Sequence, residues 1–417
     1  MKEPFLLLQE RVAAHFGPHV PEKLGVGVSG GSDSLGLLTL LAGWAAKGGP
    51  QLRAVTVDHG LRPESAEEAA HVAGICQKLG IGHDVLVWQG WDGSGNLPDQ
   101  ARRARYRLMT GWALDAGVPQ VAIAHTLNDQ AETFLMRLSR EAGVDGLAAM
   151  TQSWVQDGVR FCRPALGLSR AELQGVLTAK DIAWVDDPTN SDTAFERARV
   201  RKVLETLEGL GLSARSLSNV ANHMSELRET VYWYVFLAAQ DCVRFQSGDV
   251  LLDRGGFRIL QRDIARRLVQ QVLRWLSGAE YAPRGRSVDL LLEAIRGGTT
   301  MTLHGCLMTV SGETLRFTRE ARAVADLRLP VCTTWDGRWR LDGPWADGAE
   351  IAALGLSGLA DCPNWRATGL PAASLAASPA VWRGQRLIAA PLAGLRNGWQ
   401  ATLVRDEDQF FGALLAR

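Results

Sequence analysis

The chain has no long apolar run, no paired cysteines and no excess of charge, and each absence removes a class of protein. Nowhere in its 417 residues is there a stretch approaching the roughly 18 uninterrupted apolar residues of a membrane span. The opening segment MKEPFLLLQERVAAHF sets Glu3, Glu10 and Arg11 among its apolar residues, the pattern of an amphipathic first helix and not of a signal peptide. Six cysteines (Cys76, Cys162, Cys242, Cys306, Cys332 and Cys362) never form a Cys-x-x-Cys pair. That argues against a zinc ribbon or iron–sulfur site and for the reduced thiols of a cytoplasmic protein. With 45 basic residues against 45 acidic ones, a polyanionic partner has to be met by local patches. What is present is the balance of a globular chain, 46% hydrophobic and 22% charged, with length for two or three domains of roughly 100–200 residues.

Strands and helices alternate over residues 20–200. Apolar, β-branched runs at Leu24–Val28, Leu52–Asp58, His83–Trp88 and Gln120–Ala124 predict strands. Helical patterns follow them at Leu35–Ala46, Ser65–Leu79, Pro98–Ala116 and Asp129–Ser139. This spacing predicts βαβ units and a parallel sheet, whose ligands gather beyond the carboxyl ends of the strands. Leu207–Leu276 is proline-free and reads as largely helical, with Arg258, Arg262, Arg266, Arg267 and Arg274 on an outer face. A further helix at Val288–Arg296 and strands near Met301–Val310 and Leu315–Phe317 follow. From about residue 325, Gly/Pro turns and Trp335, Trp339, Trp345, Trp365, Trp382 and Trp399 predict a small, mostly β domain whose tryptophans form its core.

Between the first strand and its helix lies Ser29-Gly-Gly-Ser-Asp-Ser34. Glycines let backbone approach an anion, and the N–H groups of a helix start face it. Hydroxyls at Ser29, Ser32 and Ser34 add donors. Asp33 beside phosphate implies an intervening Mg²⁺. Gly25-Val-Gly-Val-Ser-Gly30 formally matches a dinucleotide fingerprint, but its first two glycines lie inside the strand and no acidic residue stands at the expected distance. A Walker A loop is excluded, because the chain has no Gly-Lys dipeptide. The plain alternative is a serine-capped turn.

SGGSDS after an apolar strand resembles the pyrophosphate-binding loop of the N-type ATP pyrophosphatases, the PP-loop superfamily. Four more segments narrow the resemblance: Val57-Asp-His-Gly-Leu-Arg-Pro-Glu-Ser65; Gln100-Ala-Arg-Arg-Ala-Arg-Tyr106; Ala124-His-Thr-Leu-Asn-Asp-Gln-Ala-Glu-Thr-Phe134; and Trp184-Val-Asp-Asp-Pro-Thr-Asn-Ser-Asp192 with Arg197, Arg199 and Arg201 after it. In this order they are similar to the tRNA(Ile)-lysidine synthetases over about residues 20–205. The resemblance implies a PP-loop catalytic domain at 1–205, a mainly helical tRNA-binding domain at 206–320 and a small C-terminal domain at 325–417. It implies ATP, Mg²⁺, L-lysine and the tRNA(Ile) of anticodon CAU as reactants and partners, in the cytoplasm, with a homodimer left open. In that chemistry the cytidine 2-keto oxygen attacks the α-phosphate, and the lysine ε-amine then displaces AMP.

Carried onto this sequence, the resemblance assigns Ser29, Gly30, Gly31, Ser32, Asp33, Ser34, Asp58 and His59 to ATP and Asp33 to the metal. Asp33, His125, Asp129 and Glu132 become the catalytic set, with either Asp129 or Glu132 accepting the lysine proton. Arg102, Arg105 and Arg199 become candidates for phosphate or lysine-carboxylate contacts, and Arg258, Arg266 and Arg267 with the pair Arg284/Arg286 for the RNA backbone. Taken singly, each has an ordinary structural reading: helix-start acids, a strand-end histidine, a solvated basic face. His59 stays open between nucleotide contact and structural role. Three positions depart from the family pattern HHxDDQAE and RNR: Thr126, Asn128 and Ala198. An active enzyme is still expected. The competing readings are a 2-thiolating relative, which would carry Cys-x-x-Cys; a glutamine-using synthetase, which would bring an amidotransferase domain; and an inactive RNA-binding descendant.

Overall fold

The apolar run at Leu24 becomes the strand around which the first part of the molecule is built. The computed structural model describes residues 4–60, 65–89, 91, 93, 96–185, 196–283, 285–344 and 347–415, in two units, Met1–Arg228 and Glu229–Arg417. In the first, α1 (Pro4–Ala14) precedes β1 (Lys23–Gly27), α2 (Ser32–Ala45), β2 (Gln51–Asp58), α3 (Ser65–Leu79), β3 (Gly82–Val87), α4 (Leu97–Asp115), β4 (Gln120–Ile123) and α5 (Leu127–Leu138). Then come α6 (Val144–Leu147), β5 (Ser153–Gln156), β6 (Val159–Cys162), α7 (Arg170–Ala179), α8 (Glu196–Glu208) and the start of α9 (Ala214–Cys242).

The six strands pair in the order β3-β2-β1-β4-β6-β5. All contacts are parallel except that of the edge hairpin β5–β6. Leu24 and Val26 on one face of β1 and Gly25 on the other are all buried, as both faces of a helix-covered parallel sheet must be. Chain order reverses across β1, with β2 on one side and β4 on the other, and a crevice opens where the two following connections diverge. Helix α2 is apolar almost all round, with Leu35, Leu37, Leu38, Leu40 and Leu41 fully buried. At Gly36 a Cβ would stand 2.8 Å from the Leu173 Cβ, so glycine is what lets α7 press against α2. Helix α5 begins two residues before the predicted Asp129, because Thr126 caps it.

The second unit differs more from the sequence reading. Its strands are β7 (Val243–Gln246), β8 (Asp249–Asp253), β9 (Met301–Leu303), β10 (Cys306–Ser311) and β11 (Thr314–Arg319), one antiparallel sheet in the order β7-β8-β11-β10-β9. The predicted helical run Leu207–Leu276 is therefore broken by a hairpin. Ser247 and Gly248 have φ of +50° and +85°, the left-handed pair of a tight two-residue turn, and Val250 and Leu252 enter the core. Helices α10 (Arg254–Arg258), α11 (Arg262–Ser277) and α12 (Arg286–Gly297) accompany this sheet.

After them come α13 (Ala321–Val324), β12 (Leu329–Pro330), β13 (Trp339–Asp342), β14 (Glu350–Ala353), α14 (Gly355–Ala360), α15 (Ala372–Ala376), β15 (Pro379–Arg383), β16 (Arg386–Ala389), β17 (Gln400–Leu403) and α16 (Glu407–Leu415). Strands β12-β14-β15-β16 and β13-β17 form two small sheets. Phe410 and Leu414 of α16 pack in the same core as Leu268, Trp275 and Phe317, so the parts expected at 206–320 and 325–417 share one hydrophobic interior. Trp335, Trp339 and Trp399 pack with Ile351 and Val381. They are core residues, as expected. Among the described residues, no helix is long and apolar enough to cross a membrane.

Candidate active site

The glycine–serine loop is held by its own hydrogen bonds. Gly30 has φ +87°, a left-handed conformation that favours glycine. The Ser34 Oγ accepts the Ser29 amide at 3.1 Å and donates to the Gly31 carbonyl at 3.0 Å, while the Ser29 Oγ lies 3.3 Å from it. Gly31 occupies the cap position of α2 and offers no side chain to the helix start. The first-turn N–H groups are thus left for an anion. This loop forms one wall of a cleft of about 660 Å³ that also takes in Asp58, His59, Arg105, His125, Asp129, Arg170, Arg197 and Arg201.

Asp33 sits in the first turn of α2. Burial raises its pKa, against the pull of Arg170, whose Nε lies 3.1 and 3.4 Å from the two carboxylate oxygens. Asp129 Oδ2 accepts both the backbone N–H and the hydroxyl of Thr126, each at 2.8 Å. Burial opposes the charge of Asp129, but the neighbouring His125, these two bonds and the Arg170 guanidinium together outweigh it and hold the carboxyl below the usual range. Thr126, where the family pattern has histidine, is therefore the helix cap that fixes Asp129. Asn128, the second departure, accepts the Arg170 amide on its Oδ1 at 2.9 Å. An amide oxygen does there what a carboxylate oxygen would do.

His125 is neutral. Burial, then the nearby Arg163 cation, pushes its pKa down to about 3. Arg163 Nε donates to its Nδ1 at 3.0 Å, so the ring proton resides on Nε2 and the histidine can only donate from that side. Arg163 itself is buried, 4.2 Å from the centroid of the Trp154 ring and bonded to the Thr151 carbonyl. No sequence motif marked it.

Glu132 departs from expectation. Its side chain is 1% exposed and is gripped by Arg201 Nε at 2.6 Å and Nη2 at 3.5 Å, and it is not part of the cleft wall. A carboxylate held in a fork of this kind ties α5 to α8. The same helix corrects the arginine choice. Arg197 and Arg201, one helical turn apart, line the cleft, whereas Arg199 between them does not; residues two apart fall on opposite sides of a helix. Arg105 lines the cleft with a buried Nε that has no hydrogen-bond partner among the described residues, and His59 does so with a buried Nδ1 in the same condition. Arg102 is exposed, its guanidinium 5.1 Å from the Tyr106 ring centroid. Asp58 Oδ1 accepts the Gly60 amide at 2.8 Å and shapes the turn that presents His59.

In the second unit, Arg258 is exposed and Arg266 half-buried, but Arg267 is buried, over the Tyr232 ring and bonded to Asp263 at 2.7 Å. It belongs to the interior and not to the outer basic face. The stretch 186–192 and Arg284 lie outside the described residues.

Comparison with known proteins follows the same lines. A family model described as a PP-loop domain matches residues 6–207. The tRNA(Ile)-lysidine synthase of Ruegeria pomeroyi is 50% identical over 409 residues, 98% of each chain. That of a Bradyrhizobium strain is 37% identical over 70% of this chain and 88% of its own, and that of Brucella anthropi 36% identical over 87% and 84%. With that coverage and the PP-loop cleft in place, the chain belongs to the tRNA(Ile)-lysidine synthase family.

Proposed function

We propose that this chain joins lysine to the wobble cytidine of the CAU anticodon of tRNA(Ile), using ATP and releasing AMP and pyrophosphate. One observation carries the reading: the SGGSDS loop and the HTLNDQAE segment, nearly a hundred residues apart in sequence, line one cleft. The cleft also holds two buried nitrogens, on His59 and Arg105, without hydrogen-bond partners among the described residues; the Arg105 Nε–H calls for an acceptor such as a nucleotide.

The amides and hydroxyls of the loop would cradle the β- and γ-phosphates. Asp33, destabilised as an anion by burial, suits a cation. The ion would be Mg²⁺ held by one or two carboxylates together with phosphate oxygens. When bound, that ion supplies charge neutralisation at the departing pyrophosphate. The cytidine O2 bonds to the α-phosphorus as the bond to the β-phosphate bridge breaks. His125, neutral with its proton on Nε2, would donate to the adenylated oxygen or to the base. Arg105, Arg197 and Arg201 give the cleft a cationic wall for phosphates or the lysine carboxylate. Asp129 keeps one oxygen on Thr126 and turns Oδ1 inward, where it would receive the ε-ammonium and steer its proton to water. The free amine then bonds to C2, and the C2–O bond to AMP breaks.

The test is turnover. Purified protein with ATP, lysine and a CAU-anticodon tRNA(Ile) transcript should release pyrophosphate and yield lysidine on nucleoside mass analysis. Pyrophosphate release that depends on sulfide or ammonia instead of lysine would assign a different enzyme, and none at all would leave an RNA-binding relative.

A further inference from the structure

Arg170 stands between the two carboxylates of the cleft. Its Nε faces both oxygens of Asp33, and its Nη2 lies 3.8 Å from Asp129 Oδ1. It is also the first residue of α7, the positive end of a helix dipole, where a cation is disfavoured. Its placement therefore answers to the carboxylates and not to the helix. Three features fix it there. Asn128 holds its amide; Ser169 and Glu172 close a capping box around the start of α7; and the Gly36–Leu173 contact brings α7 against α2, which carries Asp33.

A divalent ion on Asp33 and a guanidinium on the same carboxylate repel each other at this range. A divalent ion held by Asp33 would weaken the Arg170 contact there. The loop that would hold the β/γ-phosphates lines the same cleft and would offer the guanidinium a new anion. We propose that Arg170 is a transferable counter-ion: it holds Asp33 and Asp129 in register, would yield Asp33 to a divalent ion, and would then move onto the β/γ-phosphates. Asn128 is its anchor, which gives the second departure from the family pattern a positioning role. The inference rests on the reading of the cleft as an ATP–Mg²⁺ site.

The experiment is calorimetric binding of α,β-methylene-ATP across a Mg²⁺ titration, with native protein, Arg170→Gln and Arg170→Lys. The native protein must bind the analogue in a Mg²⁺-dependent way; if it does not, the ATP reading itself fails. Given that binding, Arg170→Gln should reach half-saturation at about tenfold lower free Mg²⁺, because the competing cation is gone. At saturating Mg²⁺ it should bind the analogue about tenfold more weakly, because a phosphate contact is gone. Arg170→Lys should keep part of both effects. An unchanged or higher Mg²⁺ requirement in Arg170→Gln, with its thermal midpoint intact, overturns the proposal. Should that variant fail to fold, Asn128→Ala carries the test. It leaves the guanidinium in place but unanchored, and should lower the Mg²⁺ requirement about threefold; no change there overturns it equally.

Discussion

Replacing Arg201 with glutamine should damage the fold more than removing both members of its ion pair. Glu132 is 1% exposed and Arg201 24% exposed, joined at 2.6 Å. Taking away one partner of a buried pair strands the other, at about 3–5 kcal/mol, and the partial exposure of Arg201 argues for the lower end, about 3 kcal/mol. For a folding unit of this size that corresponds to a drop in Tm of roughly 6–12 °C. Glu132→Gln alone removes the charge but leaves a hydrogen-bonding amide facing Arg201, and should cost about 1 kcal/mol. The double variant Glu132→Gln/Arg201→Gln should therefore lie well above Arg201→Gln, with a coupling of about 2 kcal/mol. Thermal melts of the three full-length variants and the native chain read this directly. If the double variant melts at or below Arg201→Gln, Glu132 is not stranded by loss of its partner and the clamp reasoning is wrong.

Three further outcomes follow from the same geometry. Gly30→Ala meets a φ of +87°, so it should cost about 1 kcal/mol and raise the KM for ATP, checked by melts and steady-state kinetics. Gly36→Ala would set a Cβ 2.8 Å from that of Leu173; driving α7 off α2 should cost about 1–3 kcal/mol and weaken ATP binding, where a rigid spectator site would lose only stability. The acid limb of stability should contain His125. Its pKa is about 3 in the folded chain against an ordinary value of 6.5, so the unfolded state binds the extra proton between those values. Stability from this group is fully present above pH 6.5 and is lost as pH falls, by about 2 kcal/mol at pH 5. Melts of His125→Asn at pH 5 and pH 7 should show that loss removed; an unchanged difference would refute the neutral, Arg163-bonded ring.

The catalytic half was legible because its signals are local. An apolar strand, a Gly/Ser loop and a helix follow one another within about twenty residues, and the alternation fixes a parallel sheet with its ligands at one edge. The chemistry of the loop could be read from residue types alone. The guanidinium network could not. Arg163, Arg170 and Arg201 come from the end of β6, the start of α7 and the middle of α8, and only the fold brings them to His125, Asp33 and Glu132. Two signals were nevertheless in the sequence: the Ser169-x-x-Glu172 capping box, which puts Arg170 at a helix start, and the four-residue spacing of Arg197 and Arg201, which puts them on one face and Arg199 off it. In the second unit the Gln-Ser-Gly-Asp turn at 246–249 was the missed hairpin signal inside an otherwise helical pattern. Arg267 misled because a helix face defined by charge alone does not say which arginine lies over a buried tyrosine.

The account turns on which oxygen attacks ATP, and an isotope decides it. A tRNA(Ile) transcript carrying ¹⁸O at O2 of the wobble cytidine is taken through one turnover with ATP and lysine, and the nucleotide products are weighed by mass spectrometry. Adenylation of the base predicts that the label leaves with AMP, one ¹⁸O for each lysidine formed. Unlabelled AMP alongside lysidine would contradict it.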